Sequence, residues 1–230
     1  MKNILRFGFM AIAIMFLFST FSVTETKAQP VNDILKRMDR YYVKLKSLRA
    51  NIKREKYESG VDATDKYEGK ISLLPGKGRN FSFRLDWTKP SQESISVVNG
   101  KYAAYKVSTK TIYTGSSDSK TVGDKGGNVL RMLSMSKDEI KAAYDVYYIG
   151  EEKIAGNVAT WHLKLVPKTS TSYKFSELWV NGDGAPLMGR ITMPNGDTDT
   201  IQISGLEENV KLNPSIFKID YPKGTTVVVG

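Results

Sequence analysis

The chain has 230 residues, with 34 Lys and Arg against 24 Asp and Glu, one histidine and no cysteine. The absence of cysteine excludes disulfide staples, thiolate metal sites and thiol nucleophiles together. The charge of +10 comes from scattered lysines without a run of five or six like charges, which argues against a nucleic-acid partner and leaves steering toward acidic partners or plain solubility.

The N-terminal stretch MKNILRFGFMAIAIMFLFSTFSVTETKAQP opens with Lys2 and Arg6, continues as an apolar run from Phe7 to Val23, and ends in Thr26-Lys27-Ala28. That order reads as a secretory signal peptide over residues 1–28. A membrane anchor is the alternative, but the run falls short of the roughly 20 apolar residues that span a bilayer. Residues 29–230 are then expected to form a single exported domain, a usual length for one β-rich unit. No cysteine follows the leader to carry a lipid.

Residues 31–48 place Val31, Ile34, Leu35, Met38, Tyr42, Leu45 and Leu48 at steps of three and four. This predicts an amphipathic helix capped by Asn32 or Asp33, with one side to bury. The period then changes to two. Strand-like runs fall near 50–57, 66–74, 80–87, 93–98, 101–107 and 110–114, and again near 144–150, 158–166, 172–180, 187–193 and 198–205, with a last short one near 216–221. Turn residues separate them, among them Pro75-Gly76-Lys77-Gly78, Asn99-Gly100, Asn181-Gly182-Asp183-Gly184 and Asn195-Gly196. About eleven short strands at hairpin spacing read as a meander, a barrel or an open half-barrel.

One segment interrupts the meander. Residues 115–127 read as a loop and 128–143 as helix in two pieces, the first capped by Asn128 and made apolar by Leu130, Leu133 and the methionines at 132 and 135. Ser136 and Glu139 match a capping box that starts the second piece. A helical insertion of this kind on a loop is a common form for a lid.

Candidate catalytic groups are sparse. His162 lies in the strand-like ATWHLKLVP with no serine elbow nearby, so it reads as a structural strand residue. Asp183, Asp197 and Asp199 sit beside Asn-Gly turns without calcium-loop spacing. Glu151-Glu152 and Glu207-Glu208 are adjacent pairs that a strand would point to opposite faces. No enzyme activity, metal or cofactor is expected. What stands out is RNFSFRLDW, where Phe81, Phe83, Leu85 and Trp87 alternate with Asn80, Ser82, Arg84 and Asp86; Ile71, Leu73, Ile95 and Val97 extend an apolar face of the same kind. Those residues fit a packed core. They also fit a hollow, because so many strands enclose more inner face than their own side chains readily fill.

The stretch YEGKISLLPGKGRNFSFRLDWTKPSQESISVVNGKYAAYKV resembles the periplasmic carriers of outer-membrane lipoproteins, the LolA type: a glycine-led strand, an arginine, an aromatic strand, a proline turn and two further strands. PSIFKIDYPKGTTVV is similar to the family's C-terminal phenylalanine segment with its Pro-x-Gly turn. The resemblance implies an open, incomplete antiparallel β-barrel covered by the N-terminal helix and the helical lid. It implies an apolar cavity for the acyl chains of lipoproteins, no cofactor and no covalent chemistry. On that reading Phe81, Phe83, Leu85, Trp87, Ile95 and Val97 would line the site from the sheet, with Met38, Leu45, Leu130 and Leu133 covering it from the helices. By position Arg79 would be the arginine that latches the helices shut, with Arg84 as the second candidate. Partners would be acylated lipoproteins, an inner-membrane release transporter and an outer-membrane acceptor, met by a periplasmic monomer. The alternative is a lipid-sensing or regulatory envelope protein built on the same half-barrel.

Overall fold

The computed structural model describes residues 28–76, 81–117 and 135–230. The leader expected over 1–28 falls almost wholly outside them, as do the Asn128 cap, Leu130 and Leu133. The first element is helix α1, Ala28–Lys44. It begins a turn earlier than the cap expected at Asn32 or Asp33, and it stops before Leu48, which belongs to the first strand. Its last turn carries Lys44, the charge that suits a helix C-terminus. The buried stripe is the one the spacing predicts: Val31, Ile34, Leu35 and Met38 all lie at or below 6% exposure.

Strands β1 (Leu48–Glu58), β2 (Ala63–Pro75), β3 (Phe81–Lys89), β4 (Glu93–Val98), β5 (Lys101–Lys106) and β6 (Thr111–Ser116) form one antiparallel meander. Helix α2 (Lys137–Ala143) follows, closed at its start by the expected capping box, in which Ser136 accepts from the Glu139 amide and the Glu139 carboxylate accepts from Ser136 N–H. A second meander comprises β7 (Tyr144–Ile154), β8 (Val158–Pro167), β9 (Phe175–Asn181), β10 (Pro186–Thr192) and β11 (Thr198–Glu208). Pairing of β1 with β11 joins the two meanders, and a short β12 (Thr226–Val229) adds to β6 in parallel. The result is a twelve-stranded sheet in the order β12-β6-β5-β4-β3-β2-β1-β11-β10-β9-β8-β7, not closed into a barrel.

The last strand lies further along the chain than expected. The short strand expected near 216–221 is instead a 3-10 turn, Pro214–Phe217, and the strand comes later at Thr226–Val229. Phe217 and Ile219 are nonetheless buried while Lys218 and Asp220 are exposed. Their alternation is real, but side chains rather than a ladder satisfy the backbone. Arg84 Nη1 donates to the carbonyls of Ile216 (2.8 Å) and Lys218 (3.3 Å), and Ser96 Oγ donates to that of Phe217.

The strands divide by period into an inner face, which α1 covers, and an outer face. Along β1, Leu48, Ala50, Ile52 and Arg54 are buried in strict alternation with exposed neighbours. Arg54 reaches this apolar face as an ion pair, with a two-pronged contact to Asp199 (2.8 and 2.7 Å) and its guanidinium over the Tyr67 ring. Two glycines permit close backbone approach. A Cβ on Gly69 would stand 2.3 Å from the Asp86 carbonyl oxygen on β3, and one on Gly184 would stand 2.4 Å from the Arg37 carbonyl oxygen on α1. Gly184 also has φ +94, so the β9–β10 turn meets the helix at a point where only glycine fits.

Candidate functional site

The two halves of α1 meet different surroundings. Val31, Ile34 and Leu35 pack into a solid core that includes Ile140 of α2, Leu163 and Leu165 of β8, and Leu178 and Val180 of β9, none of these five measurably exposed. The C-terminal half lies instead over an apolar hollow that is partly open to solvent. From the helix side its wall is Met38, Tyr41, Tyr42 and Leu45. From the sheet it is Leu48 of β1, Ile71 and Leu73 of β2, Phe81 and Phe83 of β3, and Ile203 and Leu206 of β11. Ala185 and Pro186 at the start of β10, and Met135 just before α2, complete it. The lining is almost wholly apolar, which suits a hydrocarbon and no charged group.

Of the residues expected at an acyl-binding site, Phe81, Phe83, Met38 and Leu45 line this hollow. Leu85, Trp87, Ile95 and Val97 share the inner face but lie in the packed core beyond it, each at most 7% exposed. The reason is position along the strand. Phe81 and Phe83 pair with Pro75 and Leu73 at the turn end of the β2–β3 hairpin, whereas Leu85 and Trp87 pair with Ile71 and Gly69 further from the turn. Leu130, Leu133 and Arg79 lie outside the described residues. Arg84, the second candidate for the latch, alternates with Phe83 and Leu85 and so faces outward, where it holds Asp86 (2.8 Å) and the 3-10 turn rather than a helix over the hollow.

Sequence reasoning missed Tyr41, Ala185, Pro186, Ile203 and Leu206. Ile203 and Leu206 come from β11, which pairs with β1 across the longest loop closure in the fold, and no local pattern announces such a partner. Tyr41 falls one position off the predicted helical stripe. Its hydroxyl donates to Glu208 Oε1 at 2.8 Å, and burial, followed by that hydrogen bond and the nearby carboxylate charges of Glu208 and Asp183, pushes its pKa up, well above the ordinary phenol range. It therefore stays a donor at any physiological pH.

On the outer face His162 centres a cluster of titratable groups. His162 sits between Glu152 (Nδ1, 3.1 Å) and Glu177 (Nε2, 3.0 Å) and stacks on Trp179 at 4.2 Å. Arg190 stands over the same indole, whose Nε1–H donates to Glu152. Burial works to raise the Glu177 carboxyl, but the His162 hydrogen bond and the charges of His162, Arg190 and Lys164 outweigh it and hold it below the usual range. The partners of His162 are thus carboxylates, with no nucleophile among them. Glu151 and Glu152 pair in succession with Trp161 and Thr160, past the bulge between Tyr148 and Gly150, and so point to opposite faces as the alternation predicts. Among the described residues no group of three His, Asp or Glu could hold a metal ion.

An unclosed, twelve-stranded sheet with a helix lying over an apolar hollow defines the open half-barrel class of fold. The sequence of residues 44–220 matches the family model described as outer membrane lipoprotein carrier protein LolA, and the chain belongs to that family. Among solved structures, an uncharacterized conserved protein from Thermus thermophilus is similar with a TM-score of 0.57 at 16% identity, over 88% of this chain and 100% of that one. MucB is similar with a TM-score of 0.58 at 15% identity, over 87% of this chain but 66% of MucB. The Pseudomonas aeruginosa MucA/MucB complex contains a chain similar at a TM-score of 0.52 and 15% identity, over 83% and 61%. At such identities the likeness is one of fold. No curated protein sequence matches the chain.

Proposed function

We propose that this protein is an exported, non-enzymatic carrier that receives the acyl chains of lipoproteins in the hollow beneath the C-terminal half of α1 and conveys them from the inner to the outer membrane. The observation that carries the reading is the hollow itself: fourteen mostly apolar residues surround space that the packed half of the same helix does not have. Membership of the LolA family supports the choice of cargo. The acyl contact residues are Phe81, Phe83, Met38 and Leu45, joined by Tyr41, Leu73, Ile203 and Leu206. Export follows the leader expected over residues 1–28, and the mass of the mature protein tests it.

A carrier must release what it holds. Burial of each methylene is worth about 0.8 kcal/mol, so a chain of roughly 16 carbons could gain on the order of 10 kcal/mol in a closed apolar site. A helix that must leave the same surface to admit the chain reduces that gain, because opening exposes Met38 and Leu45. The helix is therefore part of the release mechanism as well as part of the wall. Partners would be acylated lipoproteins, the transporter that releases them and an outer-membrane acceptor.

Native mass spectrometry of protein recovered from the periplasm tests the reading. Bound triacylated lipoprotein is the expected result. A bound free phospholipid would favour the lipid-sensing alternative, and protein without any acylated species, even after incubation with lipoprotein in detergent, would overturn the proposal.

A further inference from the structure

Positive charge is concentrated around the second half of α1. Residues 36–49 hold six basic side chains, Lys36, Arg37, Arg40, Lys44, Lys46 and Arg49, against one acid, Asp39, a net of +5 that is half of the chain's +10. Two of the six are engaged: Arg37 lies over the Trp161 ring and donates to the Gly182 carbonyl, and Arg49 pairs with Glu207. Lys36, Arg40, Lys44 and Lys46 are all exposed, and among the described residues none of the four is in an ion pair. The nearby acids are turned to other groups. Asp39 accepts from the Lys137 N–H just before α2 turns inward, Glu208 accepts from Tyr41, and Glu207 holds Arg49.

A helix face that is merely solvated gains from opposite charges at i,i+4, where neighbours attract. Lys36, Arg40 and Lys44 repeat one sign at that spacing instead, over about 12 Å of helix, and each like pair destabilises the helix. Only Lys44 is accounted for by the helix C-terminus. Val43, seven residues from Lys36 and three from Arg40, falls on the same face and is 81% exposed. We infer that this face docks on an anionic phospholipid bilayer, with Lys36, Arg40, Lys44 and Lys46 at the phosphates and Val43 at the boundary of headgroups and acyl chains. Cations on flexible stems around an exposed valine suit a surface of many mobile phosphates better than the fixed carboxylates of an acidic protein. Leu45, between Lys44 and Lys46, belongs to the wall of the hollow. Docking therefore brings that wall beside the layer in which acyl chains are held. The contact does not depend on the carrier reading; only its use in loading does.

Sedimentation of protein recovered from the periplasm with vesicles tests the inference, using phosphatidylcholine alone and phosphatidylcholine with roughly one third phosphatidylglycerol. Binding is expected to the anionic vesicles only, and it should weaken as salt shortens the screening length. Lys36→Gln, Arg40→Gln and Lys44→Gln combined should lower the partition on the order of a hundredfold, with an unchanged or higher thermal midpoint because the like pairs are gone. Lys153→Gln, Lys174→Gln and Lys223→Gln combined remove the same charge from exposed positions elsewhere and should lower the partition far less. The chain has no cysteine, so an environment-sensitive dye on Val43→Cys reports this face alone. It should brighten on anionic vesicles, and the same dye on Lys153→Cys should not. No binding to anionic vesicles, equal losses from the two triple variants, or a dye at position 43 that stays dark while the protein sediments would each overturn the membrane face. Fatty-acid uptake, measured without vesicles, separates the two readings: if the vesicles bind as described but the native protein takes up no fatty acid, the membrane face stands and the carrier reading fails.

Discussion

The two ends of the α1 stripe do opposite things with the same kind of side chain. Leu35 is wholly buried, in a core that residues of β8, β9 and α2 fill; Leu45, just past the last turn of the helix, faces a hollow. The first region fixes where the helix lies, and the second leaves space that something else can occupy. A stripe of apolar residues on a helix thus says which side is buried but not whether the partner surface is filled.

Breaking the packed region should have the largest effect. Leu35→Ala removes a side chain with no room to collapse, and the expected loss is about 3–5 kcal/mol in unfolding free energy, read by urea denaturation. Leu45→Ala at the hollow should cost roughly half of that or less, because the neighbouring space is already partly open. Equal losses would mean that the hollow is packed in solution.

The inner-face ion pair comes next. Asp199→Asn leaves the Arg54 guanidinium, 3% exposed, without its two-pronged carboxylate, and a loss of about 3–4 kcal/mol is expected by the same denaturation measurement. Arg54→Met with Asp199→Leu should recover most of the loss, since well-packed apolar replacements of buried pairs are often neutral. Failure to recover would show that the pair does more than offset its own burial.

The smallest effect lies on the outer face. Because the folded state holds the Glu177 carboxyl below its ordinary range, the unfolded chain binds the proton more readily. The associated stability is fully present above the ordinary carboxylate pKa and is lost as pH falls through the lower folded value. Glu177→Gln should therefore flatten the decline in thermal midpoint below about pH 4.5 while changing acyl binding little, since β9 presents Glu177 away from the hollow. A decline of unchanged steepness would assign the acid sensitivity to other carboxylates.

How much of this was legible in the sequence follows from how local each signal is. The α1 stripe, the capping box at Ser136 and Glu139, the hairpin turns and eleven of the strands are written within a few residues, and so were readable. The strand at Thr226–Val229 was not, because Phe217 and Ile219 alternate like a strand while Arg84 and Ser96, more than a hundred residues earlier, hold their backbone as a turn. Period two correctly put Phe81, Phe83, Leu85 and Trp87 on one face. It could not say that the first two border the hollow and the last two are in the packed core, since depth along a strand is set by register with β2 and by what α1 covers. Tyr41 and the β11 side of the wall depend on the pairing of β1 with β11, a contact without local trace.

The central claim is that the hollow under Tyr41 and Leu45 accepts a hydrocarbon chain. Titration with a fluorescent C16 fatty acid, comparing the native protein with Leu73→Trp, tests it most directly, because Leu73 borders the hollow while remaining partly exposed and a larger ring there should fill the space without unfolding the sheet. The account predicts saturable binding to the native protein and at least a tenfold loss in the variant at an unchanged thermal midpoint. Equal affinity in both would contradict it.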